Sequence, residues 1–69
     1  MTTSTMDRLF EEIDSLEIRL KKKYPKQKGR VILANIKTDI DYEIGKPSDS
    51  IEEMRWCRIY VDRLKSHLK

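Results

Sequence analysis

Apolar residues recur every three or four positions in the opening and closing stretches of this 69-residue chain. That period obliges both stretches to coil and to bury one flank. In the first, Met6, Leu9, Ile13, Leu16 and Leu20 follow at spacings of 3, 4, 3 and 4, with Phe10 and Tyr24 widening the stripe. A helix over about 5–24 is expected. Ser4 and Asp7 offer it an N-terminal cap, and acids in its first turns and lysines in its last suit the helix dipole. Residues 1–4 read as a polar tail. Pro25 disfavours helical geometry at the residue before it, and Gly29 is expected to close a polar connection. In the closing stretch Met54, Cys57, Val61, Leu64 and Leu68 repeat the 3, 4, 3, 4 spacing. Ser50 with Glu53 reads as a capping box, so the helix should cover about 50–68.

The middle, residues 30–44, fits two periods. As a helix it aligns Leu33, Ile36, Ile40 and Ile44, with Gly45 placed for a left-handed cap and Pro47 for a stop. As an extended chain it alternates from Ile36 through Ile40 and Tyr42 to Ile44, and its β-branched residues suit a strand. Length favours the helix: the segment outruns a usual strand, and a strand would need a pairing partner the rest of the chain does not offer. The expected fold is all-α, one domain over residues 1–69, a small three-helix bundle or an assembly of helical hairpins. The alternative is an α+β fold with residues 30–44 as a short β-hairpin between two helices.

A chain of this length buries only about 60% of its surface on folding, and its core supplies only about 3 to 5 kcal/mol without further support. Disulfides cannot help, because Cys57 is the one cysteine. A single thiol also fits a reducing, cytoplasmic setting. Self-association into a four- or six-helix assembly with coiled-coil-like seams is then the expected source of extra burial. No basic leader precedes an apolar stretch and the longest fully apolar run is Val31 to Ala34, so neither a secretory signal nor a membrane span is expected.

Charged residues make up 39% of the chain, with a formal net charge of +3. Their order matters more than their sum. Arg19, Lys21, Lys22, Lys23, Lys26, Lys28 and Arg30 form a run without an acid, whereas Asp39, Asp41, Glu43, Asp49, Glu52 and Glu53 are opposed by Lys46 alone. Segregation of this kind either pairs internally or presents a basic end to an anionic partner.

Catalytic chemistry finds no constellation here. Cys57 and His67 lie almost three helical turns apart, about 15 Å along an axis, too far to share a metal or to act as nucleophile and base. Asp39 with Asp41 and Glu52 with Glu53 diverge on a helix. The two glycines, Gly29 and Gly45, are isolated, so there is no phosphate loop. No cofactor, small-molecule substrate or enzymatic activity is expected. The stretch Glu12-Ile13-Asp14-Ser15-Leu16 resembles the opening helix of helical chorismate mutases. In that family an arginine stands three residues before the isoleucine, where this chain has Phe10, and no function carries over.

Two functional expectations remain. Trp56 and Ile59 lie off the closing helix's stripe, with Tyr60 at its flank. The three either complete the monomer core or, flanked by Arg55 and Arg58 and being of the residue types that dominate interface energetics, form a protein–protein contact patch. The patch is the expectation taken forward, on an adaptor, regulator or inhibitor that also self-associates. The size and lack of catalytic groups also suit an accessory protein of a phage, plasmid or virus. Alternatively Lys21, Lys22, Lys23, Lys26, Lys28 and Arg30 neutralise nucleic-acid phosphates while Tyr24 stacks on a base. Arg55, Arg58, Arg63, Lys65 and Lys69 would strengthen that surface if they aligned beside it.

Overall fold

All three apolar stripes become helices in the computed structural model, which describes residues 5–69. They are α1 (Thr5–Lys23), α2 (Gln27–Ile44) and α3 (Ser50–Leu68), each packed on the other two in a small three-helix bundle. The expected polar tail and the Ser4 cap lie outside the described residues. Residues 30–44 are helical, and the described residues contain no strand. No described helix is long and apolar enough to cross a membrane.

The core draws on all three stripes. Ile13, Leu16 and Leu20 from α1, Leu33, Ile36 and Ile40 from α2, and Cys57, Tyr60, Val61 and Leu64 from α3 are buried in one cluster. Leu20, Ile40 and Leu64 reach 0% exposure. Met6, Leu9, Tyr24, Ile32, Trp56, Ile59 and Leu68 pack against its edge. Three stripe residues depart from expectation. Met54 is half-buried outside the cluster, Phe10 is 45% exposed and Ile44 is 41% exposed. Each sits near a helix end or at the limit of the stripe, where the neighbouring helix no longer covers it.

The most extensive of the three interfaces joins α1 to α3. Their C-terminal ends meet, and Lys23 Nζ donates to the carbonyls of His67 and Lys69, both at 3.2 Å. These carbonyls belong to the end of α3, where no later turn supplies a donor. The ion pairs across the bundle, Arg63 with Glu43 at 2.7 Å, Lys65 with Glu12 at 3.0 Å and Lys37 with Glu17 at 3.7 Å, lie at its surface and contribute little, about 1 kcal/mol or less each.

Helix ends differ from the expected boundaries in two instructive places. α2 begins at Gln27 rather than at residue 30, so Gly29 is not a connector but a buried residue of the first turn. The turn before it is Tyr24-Pro25-Lys26, and Lys26 takes a positive φ of 64°. At the start of α3 the cap is Asp49, one residue before the expected Ser50: its Oδ1 accepts from the Glu52 N–H at 2.8 Å. Glu52 then reaches back to Ser48, accepting from its N–H at 3.3 Å and its hydroxyl at 3.0 Å. The cap is therefore set by the extended backbone at Asp49 and not by the Ser50 hydroxyl. Asp49→Ala should lower the stability to urea by about 0.5 to 2 kcal/mol, whereas Ser50→Ala should leave it almost unchanged. Gly45 ends α2 where its place in the sequence predicts, with its N–H donated to the Asp41 carbonyl at 2.9 Å, but its φ of 78° and ψ of 169° are not the left-handed helical geometry expected of the cap.

Candidate binding groove

Trp56, Cys57 and Tyr60 lie on one side of α3 because the core is wider than a single 3, 4 stripe, and α1 and α2 approach that side without closing over it. The result is an open groove of about 600 Å³. Phe10, Ile13 and Glu17 line it from α1, Lys37 and Asp41 from α2, Lys46 and Pro47 from the connecting loop, and Glu53, Trp56, Cys57 and Tyr60 from α3.

Polar contacts hold its aromatic wall. The Trp56 indole N–H donates to Asp41 Oδ1 at 2.8 Å, and the Tyr60 hydroxyl donates to Glu17 Oε2 at 2.6 Å. Both acceptors are carboxylates, which makes these the stronger kind of hydrogen bond. The two rings stand 5.1 Å apart, tilted by 46°, within the range in which aromatic pairs attract. Lys37 Nζ lies 5.6 Å from the Tyr60 ring centre and also pairs with Glu17. Trp56 is thus fixed in rotamer with its polar atom satisfied, and the exposed part of its ring is apolar.

Two of the groove's titratable groups are held in their neutral form. Burial, then the hydrogen bond and the negative charge of Glu17, push the Tyr60 hydroxyl well above its ordinary range. Burial, then the charge of Glu53, push the Cys57 thiol up, so it stays protonated near neutral pH and is a poor nucleophile. His67 is exposed in the last turn of α3, whereas Cys57 is in the core.

The predicted contact patch is divided. Tyr60 is 1% exposed and belongs to the core, so beyond its hydroxyl it has little surface to present. Trp56 turns to the groove. Ile59, Arg55 and Arg58 line a separate depression of about 330 Å³ with Ile51, Met54 and Asp62, all on α3. Phe10, Glu17, Lys37 and Asp41 escaped sequence reasoning as groove residues. Their partners lie 15 to 43 positions away, as in Asp41 with Trp56 and Glu17 with Tyr60, and no local period marks such pairs.

The basic residues Lys21, Lys22, Lys23, Lys26, Lys28 and Arg30 are all exposed around the α1–α2 turn. Lys23 is engaged with the end of α3, and Lys23 and Lys28 lie 5.6 and 5.7 Å from the centre of the half-buried Tyr24 ring. Tyr24 is thereby occupied by the protein's own cations. On α3, Arg63 and Lys65 face acids of α2 and α1, while Arg55 and Arg58 belong to the α3 depression and only Lys69 meets the basic end.

No family model, curated protein or solved structure matches this chain.

Proposed function

We propose that the chain is a small helical interaction module that receives an amphipathic helix of a protein partner in the groove between α1, α2 and α3. The observation that carries this reading is the pair Phe10 and Trp56: an exposed phenyl ring and a half-buried indole locked by Asp41 share one open groove. An aromatic ring already fixed in place contributes contact area at little entropic cost, which is what binding hot spots require. The groove is also open along its length. Small-molecule sites bury most of their ligand, whereas a helix lays a row of side chains into such a channel. Lys37 and Lys46 stand among Glu17, Asp41 and Glu53 in the lining, so charges of both signs suit the flanks of the partner's apolar stripe.

A displayed library of amphipathic helical peptides, selected on the immobilised protein, tests the reading, because Trp56 is the sole tryptophan and reports on the groove directly. Selected peptides should shift Trp56 emission and bind Phe10→Ser about tenfold more weakly, the loss of a modest hot spot. Phe10 lies outside the core cluster, so the variant keeps its fold. Peptides that leave Trp56 emission unmoved, or ignore Phe10→Ser, would refute the groove. Retardation of short duplex DNA with a steep salt dependence would move the function to the basic turn, since each phosphate contact contributes about 0.9 to the log–log slope.

A further inference from the structure

On the side of α2 opposite its buried residues Leu33, Ile36 and Ile40, the helix carries Val31, Asn35, Thr38 and Tyr42 at spacings of 4, 3 and 4, with Ala34 beside them. All are exposed, Val31 at 55% and Tyr42 at 91%. In a chain that is 39% charged, an outer helix face without a charge from residue 31 to residue 42 is an unpartnered face. The charges that flank it are segregated along the helix: Lys28 and Arg30 stand at the N-terminal end, and Asp39, Asp41 and Glu43 at the C-terminal end.

We propose that this face is the seam of a homodimer in which α2 packs antiparallel against α2 of a second copy. The occupant follows from self-complementarity. A two-fold axis beside residues 36 and 37 sets Val31 against Tyr42 of the second copy, and Asn35 against Thr38. In an antiparallel pair related this way like flanks face each other, so the basic end of each helix, Lys28 and Arg30, lies beside the acidic end of the other, where Asp41 also accepts from Trp56 and Glu43 also pairs with Arg63 of its own copy. A parallel pairing would instead stack base on base and acid on acid. Small residues at the centre, Ala34, Asn35 and Thr38, let the two helix axes approach to the roughly 8 to 10 Å of packed helices. The tyrosines close both ends over the valines. Each interface is isologous, as two-fold dimers require. The proposal extends the reading of the chain as an interaction module; its seam residues lie apart from the groove, with which it shares only the flanking Asp41, so substitutions at Tyr42 and Asn35 test it separately.

Sedimentation equilibrium over rising concentration, with circular dichroism to check the fold, tests the seam. The wild-type chain should pass from monomer to dimer, and 1 M salt should weaken the dimer because its flanks are charged. Tyr42→Asp should raise the dimer dissociation constant by about tenfold or more with helicity unchanged, as expected of an interface tyrosine absent from the core. In a Cys57→Ser background, Asn35→Cys should oxidise to a linked dimer under conditions in which Ile18→Cys, exposed on α1, does not. A strict monomer, a dimer indifferent to Tyr42→Asp, or equal cross-linking at both positions would overturn the proposal. Selection of groove-binding peptides is unaffected by any of these outcomes.

Discussion

Leu64→Ala is expected to abolish the cooperative unfolding transition at room temperature. Leu64 is 0% exposed, and among the described residues Leu20 and Ile40 are the only other aliphatic residues buried as completely. Removing a buried leucine side chain costs about 2 to 5 kcal/mol, through lost transfer energy and the cavity left behind. A core of this size supplies only about 3 to 5 kcal/mol in total, so the loss equals most of what holds the fold. Far-ultraviolet circular dichroism through a urea titration would show a shallow drift in place of a sigmoid. Ile18→Ala, which removes an isoleucine side chain at 56% exposure, should stay within about 0.5 kcal/mol of the parent. If Leu64→Ala kept its midpoint within a few tenths molar urea, the packing described here would be wrong. Dimerisation through α2 would oppose the loss at high protein concentration, because whatever binds only the folded state stabilises it by mass action. The titration is therefore best run dilute.

Gly29→Ala should destabilise the bundle although helix propensity alone predicts the reverse. Glycine inside a helix is about 1 kcal/mol worse than alanine, and Gly29 lies in the first turn of α2, so local reasoning expects a gain. The bundle denies it. A Cβ at position 29 would stand 2.5 Å from the Tyr24 carbonyl oxygen and 3.3 Å from the Lys21 Cα. Both are backbone atoms of the chain leaving α1, with no rotamer to turn aside. The substitution must therefore push α2 away from the end of α1, and overpacking of this kind costs about 1 to 3 kcal/mol. Thermal melts of the two proteins decide the sign. A higher midpoint for Gly29→Ala would mean that the close approach at the α1–α2 turn does not exist.

The same residue shows where local reasoning stops. Isolated between Lys28 and Arg30, Gly29 reads as punctuation, because glycine is the residue of turns. Its actual role is to allow contact between two backbones eight positions apart, Lys21 to Gly29. The helices of the first and third segments, by contrast, were legible from spacing alone, as were Gly45 as the end of α2 and Cys57 as a core thiol. Residues 30–44 fitted both periods, and the helix prevailed because one flank of α2 is buried against α1 and α3 while the residues an alternating strand would place with Ile36 and Ile40, Thr38 and Tyr42, point to solvent. Tyr60, at the flank of the main stripe, could be read as core or as contact patch; it is buried with its hydroxyl donating to Glu17 of α1, a partner 43 positions away.

By itself the amino-acid order determined the first and third helices, roughly where they end and which side of each is apolar, and favoured a helix in the middle, because these depend on contacts within four residues along one chain. Tertiary structure alone decided that Tyr60 is buried while Trp56 beside it stays half-exposed on an open groove, that Phe10 joins that groove, and that the uncharged face of α2 is left uncovered. Those outcomes depend on how far each helix reaches across its neighbours, a distance that no periodicity along the chain records.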